Sequence, residues 1–346
     1  DQGVNRASKL SPFDLEAAKE VFDTLVSPAV EVLDTAQKLF IIPSPSLAGI
    51  PFELLPISDE LPSVKSFIDF RKYRDVPWMN DRFSISYLSS PRMLGRRRNA
   101  ADTNDSKFLG VGNPEFSPPA DSLPTPTNSS EVSRSSDTLQ RVLARDYKAL
   151  SAAGSVASSL PESQLIVDSM ARRYGDSATI LTGVSATESR LNQLQLSQYS
   201  TIVFATHGLL GADFVPEPAL VLGRESGESA FDGLLTTREI VQMKLATKLV
   251  VLAACNSATK GRVDGVASLA NSFLTAGSAS VVASHWAVDV NATTRLFDAF
   301  ARQREMTPDA PTADLLQRAR MALLRQDKNQ LFAHPAFWGG FATYGF

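Results

Sequence analysis

The chain has 346 residues, 43% of them hydrophobic and 21% charged, with a formal net charge of −3. That length can bury a sizeable core and fits two lobes, while the charge provides no basic stripe for nucleic acid, and no apolar run reaches the ~18–20 residues a membrane helix needs. A single cysteine, Cys255, excludes an internal disulfide framework and a cysteine-built metal cluster and suits a reducing cytoplasm.

The start, Asp1-Gln2-Gly3-Val4-Asn5, has no signal-peptide character and no Met, so the chain is expected to be a piece of a longer protein. Residues 11–34 read as an amphipathic helix with Phe13, Leu15, Val21, Leu25 and Val32 among its apolar positions. Strands are expected at 38–42, 83–88 and 107–111. Residues 113–136 are rich in Pro, Ser, Thr and Asn, and their composition predicts a mobile loop or linker. Beyond it, Ser159-Leu160-Pro161-Glu162 and Ser185-Ala186-Thr187-Glu188 fit capping boxes that start helices near 160–174 and 186–197, with a strand at 178–181 between them. Strands at 201–205 and 219–222, a helix at 236–243 and a strand before Cys255 follow. A helix at 263–276, a strand at 279–284, helices at 291–304 and 312–326 and an aromatic end strand complete the pattern. Strands alternating with helices predict an α/β fold, a mostly parallel sheet between helical layers.

Two runs stand out. Thr201-Ile-Val-Phe-Ala-Thr-His207-Gly208 and Lys248-Leu-Val-Val-Leu-Ala-Ala-Cys255-Asn256-Ser257 are apolar strands closing on small or polar residues. Continuous apolar runs of this kind are buried on both faces of a parallel sheet, and reacting groups in such sheets lie just beyond the carboxyl ends of the strands. An imidazole and a thiol delivered to one edge form a candidate Cys–His dyad. A free thiol with a pKa near 8.5 is only a few per cent ionised at neutral pH; a paired histidine lowers that pKa by roughly 1–5 units and later protonates a leaving amine. Gly208 is expected to turn with positive φ. The N–H groups of Gly208 and Cys255 are candidates for an oxyanion hole, where one donor is worth ~3–4 kcal/mol of barrier. Asn256 and Ser257 favour a tight polar loop.

The competing readings are structural. A lone cysteine is often a small buried hydrophobe, and a strand-end histidine is often scaffolding. His285, in Val281-Val-Ala-Ser-His285-Trp286, is a cleft-wall residue or an alternative base. His334 lies in an aromatic segment and reads as packing. Gly110-Val111-Gly112 lacks the third glycine of a dinucleotide fingerprint. Arg96-Arg97-Arg98 reads as a solvated loop or a processing site.

Thr206-His207-Gly208 and Ala254-Cys255-Asn256-Ser257-Ala258, in that order, resemble the CHAT peptidase domain, one of the caspase-like cysteine peptidases that include separase and gingipains. Leu39-Phe-Ile-Ile-Pro43 followed by Pro51-Phe52-Glu53-Leu54-Leu55 is similar to an early signature of that family. The segment from Gly265 to Trp286 and Pro335-Ala-Phe-Trp338-Gly-Gly-Phe341 resemble two later ones. The resemblance runs from about residue 35 to the last residue. It implies a caspase-like three-layer α/β/α sandwich over 151–346, preceded by a smaller pseudo-peptidase-like α/β lobe over 1–150 that contains no His or Cys.

The same resemblance implies a cytoplasmic cysteine endopeptidase with Cys255 as nucleophile and His207 as general acid/base. It needs neither metal nor organic cofactor, and it binds no nucleic acid or membrane. Its partners are a protein substrate and an upstream helical-repeat or sensor region, with a setting in bacterial defence or regulated cell death. Separases bind a basic P1 side chain with an acid, but a register superposing Trp286 puts a neutral residue, near Thr294, at that place. Asp264 and Asp289 remain as candidate substrate-binding acids beside His285 and Trp286, although Asp289 also reads as a helix cap and Asp264 as a solvated loop acid. The alternatives are an idle scaffold of the same fold that docks partners and, less well supported, a non-peptidase hydrolase; no G-x-S-x-G elbow is present for the latter.

Overall fold

The computed structural model describes residues 10–96, 107–115, 160–209, 217–224, 231–253, 255–258, 264–286 and 288–346, with backbone alone at 95–96, 255–258 and 264. The strands in chain order are β1 (Lys38–Ile41), β2 (Ser84–Tyr87), β3 (Phe108–Pro114), β4 (Ala178–Gly183), β5 (Thr201–Ala205), β6 (His207–Leu209), β7 (Ala219–Val221), β8 (Leu234–Thr236), β9 (Leu249–Leu252), β10 (Cys255–Ala258), β11 (Ser280–Ser284) and β12 (Phe341–Gly345). The α-helices of five or more residues among the described residues are α1 (Leu15–Leu25), α2 (Pro161–Ala171), α3 (Glu188–Asn192), α4 (Thr237–Gln242), α5 (Asp264–Ala276), α6 (Val290–Met306) and α7 (Thr312–Met321).

Eight strands form the central sheet in the order β1-β2-β12-β11-β9-β5-β3-β4. All pairings are parallel except β11 with β12. The sheet is therefore mostly parallel, as the strand–helix alternation predicts. The antiparallel step arises because β12 returns from the end of the chain and slots between β11 and β2. Every position of β5, β9, β11 and β12 is buried, which explains why these strands read as unbroken apolar or small-residue runs instead of alternating ones. One face packs Val203, Val251, Val282 and Phe341 under Ile166 and Val167 of α2, Leu296 and Phe300 of α6 and Leu316 of α7. The other packs Phe204, Val250, Leu252 and Val281 under Phe22 of α1, Ile240 of α4 and Leu269, Ala270 and Phe273 of α5. Helices on both faces of one sheet make three layers.

The expected lobe boundary near residue 150 lies outside the described residues. Strands on either side of it share the sheet, since β3 pairs with both β4 and β5. Of the expected loop at 113–136, Asn113 and Pro114 end β3 and 116–136 lie outside the described residues. Two capping expectations need correction. α2 starts at Pro161 behind Leu160, with no side-chain cap. α3 is capped by Thr187, whose hydroxyl accepts from Arg190 N–H, because Ser185 is consumed in a turn: it accepts from Thr182 N–H at 2.9 Å and donates to Thr182 O at 2.8 Å. α5 closes at Gly277, where φ is +126° and an added Cβ would lie 2.0 Å from Leu245 O, so only glycine fits.

A buried ion pair ties the first third of the chain to its end. Arg320 of α7 and Glu53 are each 1% exposed and meet at 3.1 Å. The guanidinium also donates to Asn80 Oδ1 at 3.0 Å and to Phe341 O, and Glu53 Oε2 accepts the Tyr87 hydroxyl at 2.8 Å. Leu54, next to Glu53, packs where a Cβ on Gly339 would be. The Pro51–Leu55 signature is thus a junction between the start of β12, the end of β2 and α7.

Candidate functional site

β5 and β9 are parallel neighbours, pairing Phe204 with Leu252. Both chains leave the central sheet at its carboxyl edge and immediately pair again as β6 and β10, with His207 opposite Cys255 and Asn256 opposite Gly208. The two runs singled out by their apolar pattern therefore carry one continuous register from the core into a second, four-stranded sheet, β10-β6-β7-β8. Register partners on adjacent strands are about 4.8 Å apart. The segment after Cys255 is a strand instead of the expected tight polar loop, because β6 supplies the hydrogen-bonding partner that Asn256 and Ser257 have no propensity to find alone. Gly208 lies within β6 and is not one of the positive-φ glycines among the described residues, so the expected turn there is also corrected.

His207 is buried, 6% exposed. Thr206, one residue earlier, donates its hydroxyl to Val221 O, which fixes the base of β6 against β7. β7 pairs antiparallel with both β6 and β8. The start of α3 closes this assembly from outside. Gly223 N–H donates to Ala186 O at 2.8 Å, Thr187 bridges Gly223, and Gly233 N–H donates to Glu188 Oε2 at 2.6 Å. Burial, then the nearby Glu239 and Asp232 carboxylates, push Glu188 up to about 7.

The other sequence-selected residues fall nearby but in different settings. His285 follows β11 at the same carboxyl edge; its N–H donates to Gly340 O at 2.7 Å, and its ring sits among Tyr87, Trp286 and Tyr344. Burial holds its imidazole below the usual histidine range, with the Arg320 charge adding to that and Glu53 opposing it. Trp286 donates its indole N–H to Ala336 O at 3.1 Å. Asp289 caps α6 by accepting from Ala292 N–H at 3.1 Å. Thr294, within α6, donates to Val290 O at 2.9 Å. Asp264 is the first residue of α5. His334 serves structure: its Nε2 donates to Ser11 O and its Nδ1 accepts Ala336 N–H, each at 3.1 Å, and burial holds it down at about 4.

In the sequence Glu188 reads only as part of a capping box and Glu53 only as part of a signature. A charged residue beside Leu and Phe in Pro51-Phe52-Glu53-Leu54-Leu55 was a signal for a buried pair. Among the described residues, no three His, Cys, Asp or Glu side chains are grouped to hold a metal ion, and no helix is long and apolar enough to cross a membrane.

Tetratricopeptide repeat protein 28 of Homo sapiens is 34% identical over 113 residues and that of Mus musculus 32% over 114, in each case 32% of this chain and 4% of the relative. The chain thus spans a small fraction of the curated relatives it matches. The Saccharomyces cerevisiae separase–securin complex is similar at 13% identity with a TM-score of 0.43, covering 89% of this chain and 15% of that one. The Arg-specific cysteine proteinase gingipain R matches at 10% identity with a TM-score of 0.44, covering 96% and 66%. At these scores the family assignment rests on the family model, which matches residues 15–346 as a CHAT domain. The chain belongs to the CHAT domain family.

Proposed function

We propose that this domain is a cysteine endopeptidase that cuts a partner protein at one or few sites, with Cys255 as nucleophile and His207 as general acid/base. The observation that supports this most is the shared register: parallel β5 and β9 hand His207 and Cys255, the sole thiol, to adjacent positions beyond the carboxyl edge of the sheet. In this reading His207 accepts the thiol proton, the thiolate attacks the scissile carbonyl, and the imidazolium returns the proton to the leaving amine as the C–N bond breaks. Water then releases the acyl group from the sulfur. Gly208 and Cys255 N–H groups stabilise the oxyanion. P1 preference is not strictly basic: Asp289 is committed to capping α6 and Thr294 is neutral, which leaves Asp264 at the start of α5 as the one candidate acid.

The partial match to tetratricopeptide repeat proteins supports an upstream repeat region acting as sensor in the longer protein. The family resemblance supports a setting in defence or cell death, and together with the single cysteine it supports a cytoplasmic location. The test is incubation of wild type, Cys255→Ala and His207→Ala with a peptidyl cysteine-directed probe and with candidate substrate proteins. Labelling and cleavage by wild type alone support the peptidase; stable partner binding without labelling or cleavage identifies a scaffold.

A further inference from the structure

The four-stranded sheet that pairs His207 with Cys255 is short, and what secures it from outside is a carboxylate. β8 follows directly on Gly233, which has φ +85° and leaves no room for a Cβ beside Arg224 Cγ and Leu222 O. Leu222 N–H donates to Gly233 O at 2.8 Å, joining the end of β7 to the start of β8. Glu188, 4% exposed, accepts the Gly233 N–H at 2.6 Å from the first turn of α3. α3 in turn is held to the end of β4 by Ala186 N–H donating to Gly183 O at 3.2 Å. A route of hydrogen bonds therefore runs from the central sheet through α3 and Gly233 into β8, β7 and β6.

We propose that Glu188 is a positioning residue for the His207–Cys255 pair: through Gly233 it pins the small sheet on which the two residues are in register. The inference rests on the peptidase reading of that pair. Glu188 acts through the Gly233 N–H and, behind it, β8 and β7. Among the described residues, the charged groups around it are Asp232, Glu239, Arg224 and Arg190. Asp232 accepts from Leu234 N–H at 2.8 Å, and Glu239 accepts from both the N–H and the hydroxyl of Thr236. Arg224 acts on Asp232, and on α3 itself Arg190 pairs with Gln193. Burial first, and the two carboxylates near it second, push Glu188 up to about 7. Ionisation strengthens the hydrogen bond from Gly233 but sets Glu188 against Asp232 and Glu239, so the hold on Gly233 changes as Glu188 loses its proton.

The test uses the full chain, in which Cys255 is the sole cysteine. Hydrogen exchange is followed at the amides of β6, β7 and β8 in wild type, Glu188→Gln and Glu188→Ala. Tm is measured alongside, and iodoacetamide alkylation of Cys255 is followed across pH about 5.5 to 9. Glu188→Ala is expected to speed exchange at Gly233–Leu235 and at Leu220 by about tenfold or more while β5, β9 and β11 keep their protection. Glu188→Gln, which keeps the shape and an acceptor, is expected to retain protection yet remove the component near pH 7 from the alkylation profile. Wild-type exchange in Glu188→Ala, or equal loosening of every strand, would overturn the proposal. If Glu188→Ala does not fold, superimposable alkylation profiles for wild type and Glu188→Gln would overturn it. Failure of the peptidase reading shows separately, as His207→Ala leaving alkylation unchanged, and the exchange result does not depend on it.

Discussion

Substituting Glu53 by Gln would leave the Arg320 guanidinium charged, 1% exposed, and facing only neutral partners, the side chain of Asn80 and the carbonyl of Phe341. Breaking a buried pair by removing one member costs about 3–5 kcal/mol, because the remaining charge has already lost its water. The Gln amide still offers an oxygen at the 3.1 Å position of Glu53 Oε1, which argues for the lower end, about 3 kcal/mol. In a chain of this size, where 1 kcal/mol moves Tm by about 2 °C, that is a loss of about 6 °C. Arg320→Met leaves the opposite member, a carboxylate that keeps the Tyr87 hydroxyl as a hydrogen-bond donor, so its loss should be smaller. The double variant Glu53→Gln/Arg320→Met should be less destabilised than the sum of the singles by about 1–3 kcal/mol, the coupling expected of contacting groups. Thermal and urea unfolding of the four proteins measure this cycle. If Glu53→Gln unfolded within about 1 kcal/mol of wild type, or the singles were additive, the pair would not be the junction described above.

Further expectations follow from single residues. Cys255→Ala and His207→Ala should each abolish cleavage with the fold intact, and the double variant should be no slower than either single, because the two act as a unit. His285→Ala should leave measurable cleavage, and loss of all activity there would reassign the base. Gly277→Ala should cost more than about 2 kcal/mol in urea unfolding, since it combines a φ of +126° with a Cβ 2.0 Å from Leu245 O. His334 and Glu188 should give pH dependences of opposite sign. His334 is held near 4 when folded against 6.5 ordinarily, so the unfolded chain binds the extra proton between those values and stability falls as pH drops from about 6.5 to 4. Glu188 holds its proton up to about 7 against 4.5 ordinarily, so stability instead falls as pH rises through that window. His334→Gln and Glu188→Gln, unfolded in urea across pH, should each remove one slope and steepen the other.

Much of the fold was legible because a doubly covered sheet writes itself plainly. β5, β9 and β11 are buried at every position and appear in the sequence as Val-, Ile- and Phe-rich runs with no polar alternation. What could not be read were features set by partners distant in sequence. β10 is Cys-Asn-Ser-Ala, four residues of weak strand propensity, and is a strand only because β6 lies in register with it. The place of β12 between β11 and β2 depends on a return from the far end of the chain, which no local pattern encodes. Glu188 looked like half of a capping box because Ser185 precedes it at the right spacing. The Thr182 turn takes Ser185 away, and the backbone of Gly233, forty-five residues on, takes the carboxylate. For the candidate site, the residue types and their strand-end positions were visible in sequence, whereas their shared register was a property of the sheet.

The most direct test of the account is the alkylation rate of Cys255 as a function of pH in wild type and His207→Ala. The chain has no other cysteine, so every adduct reports this position. An imidazole poised to take the thiol proton should keep wild-type alkylation fast at pH ~6.5, well below the pKa near 8.5 of an unassisted thiol. His207→Ala should return the profile to that ordinary value. A single titration near 8.5 in both proteins would contradict the pairing of His207 with Cys255 and, with it, the proposed peptidase mechanism.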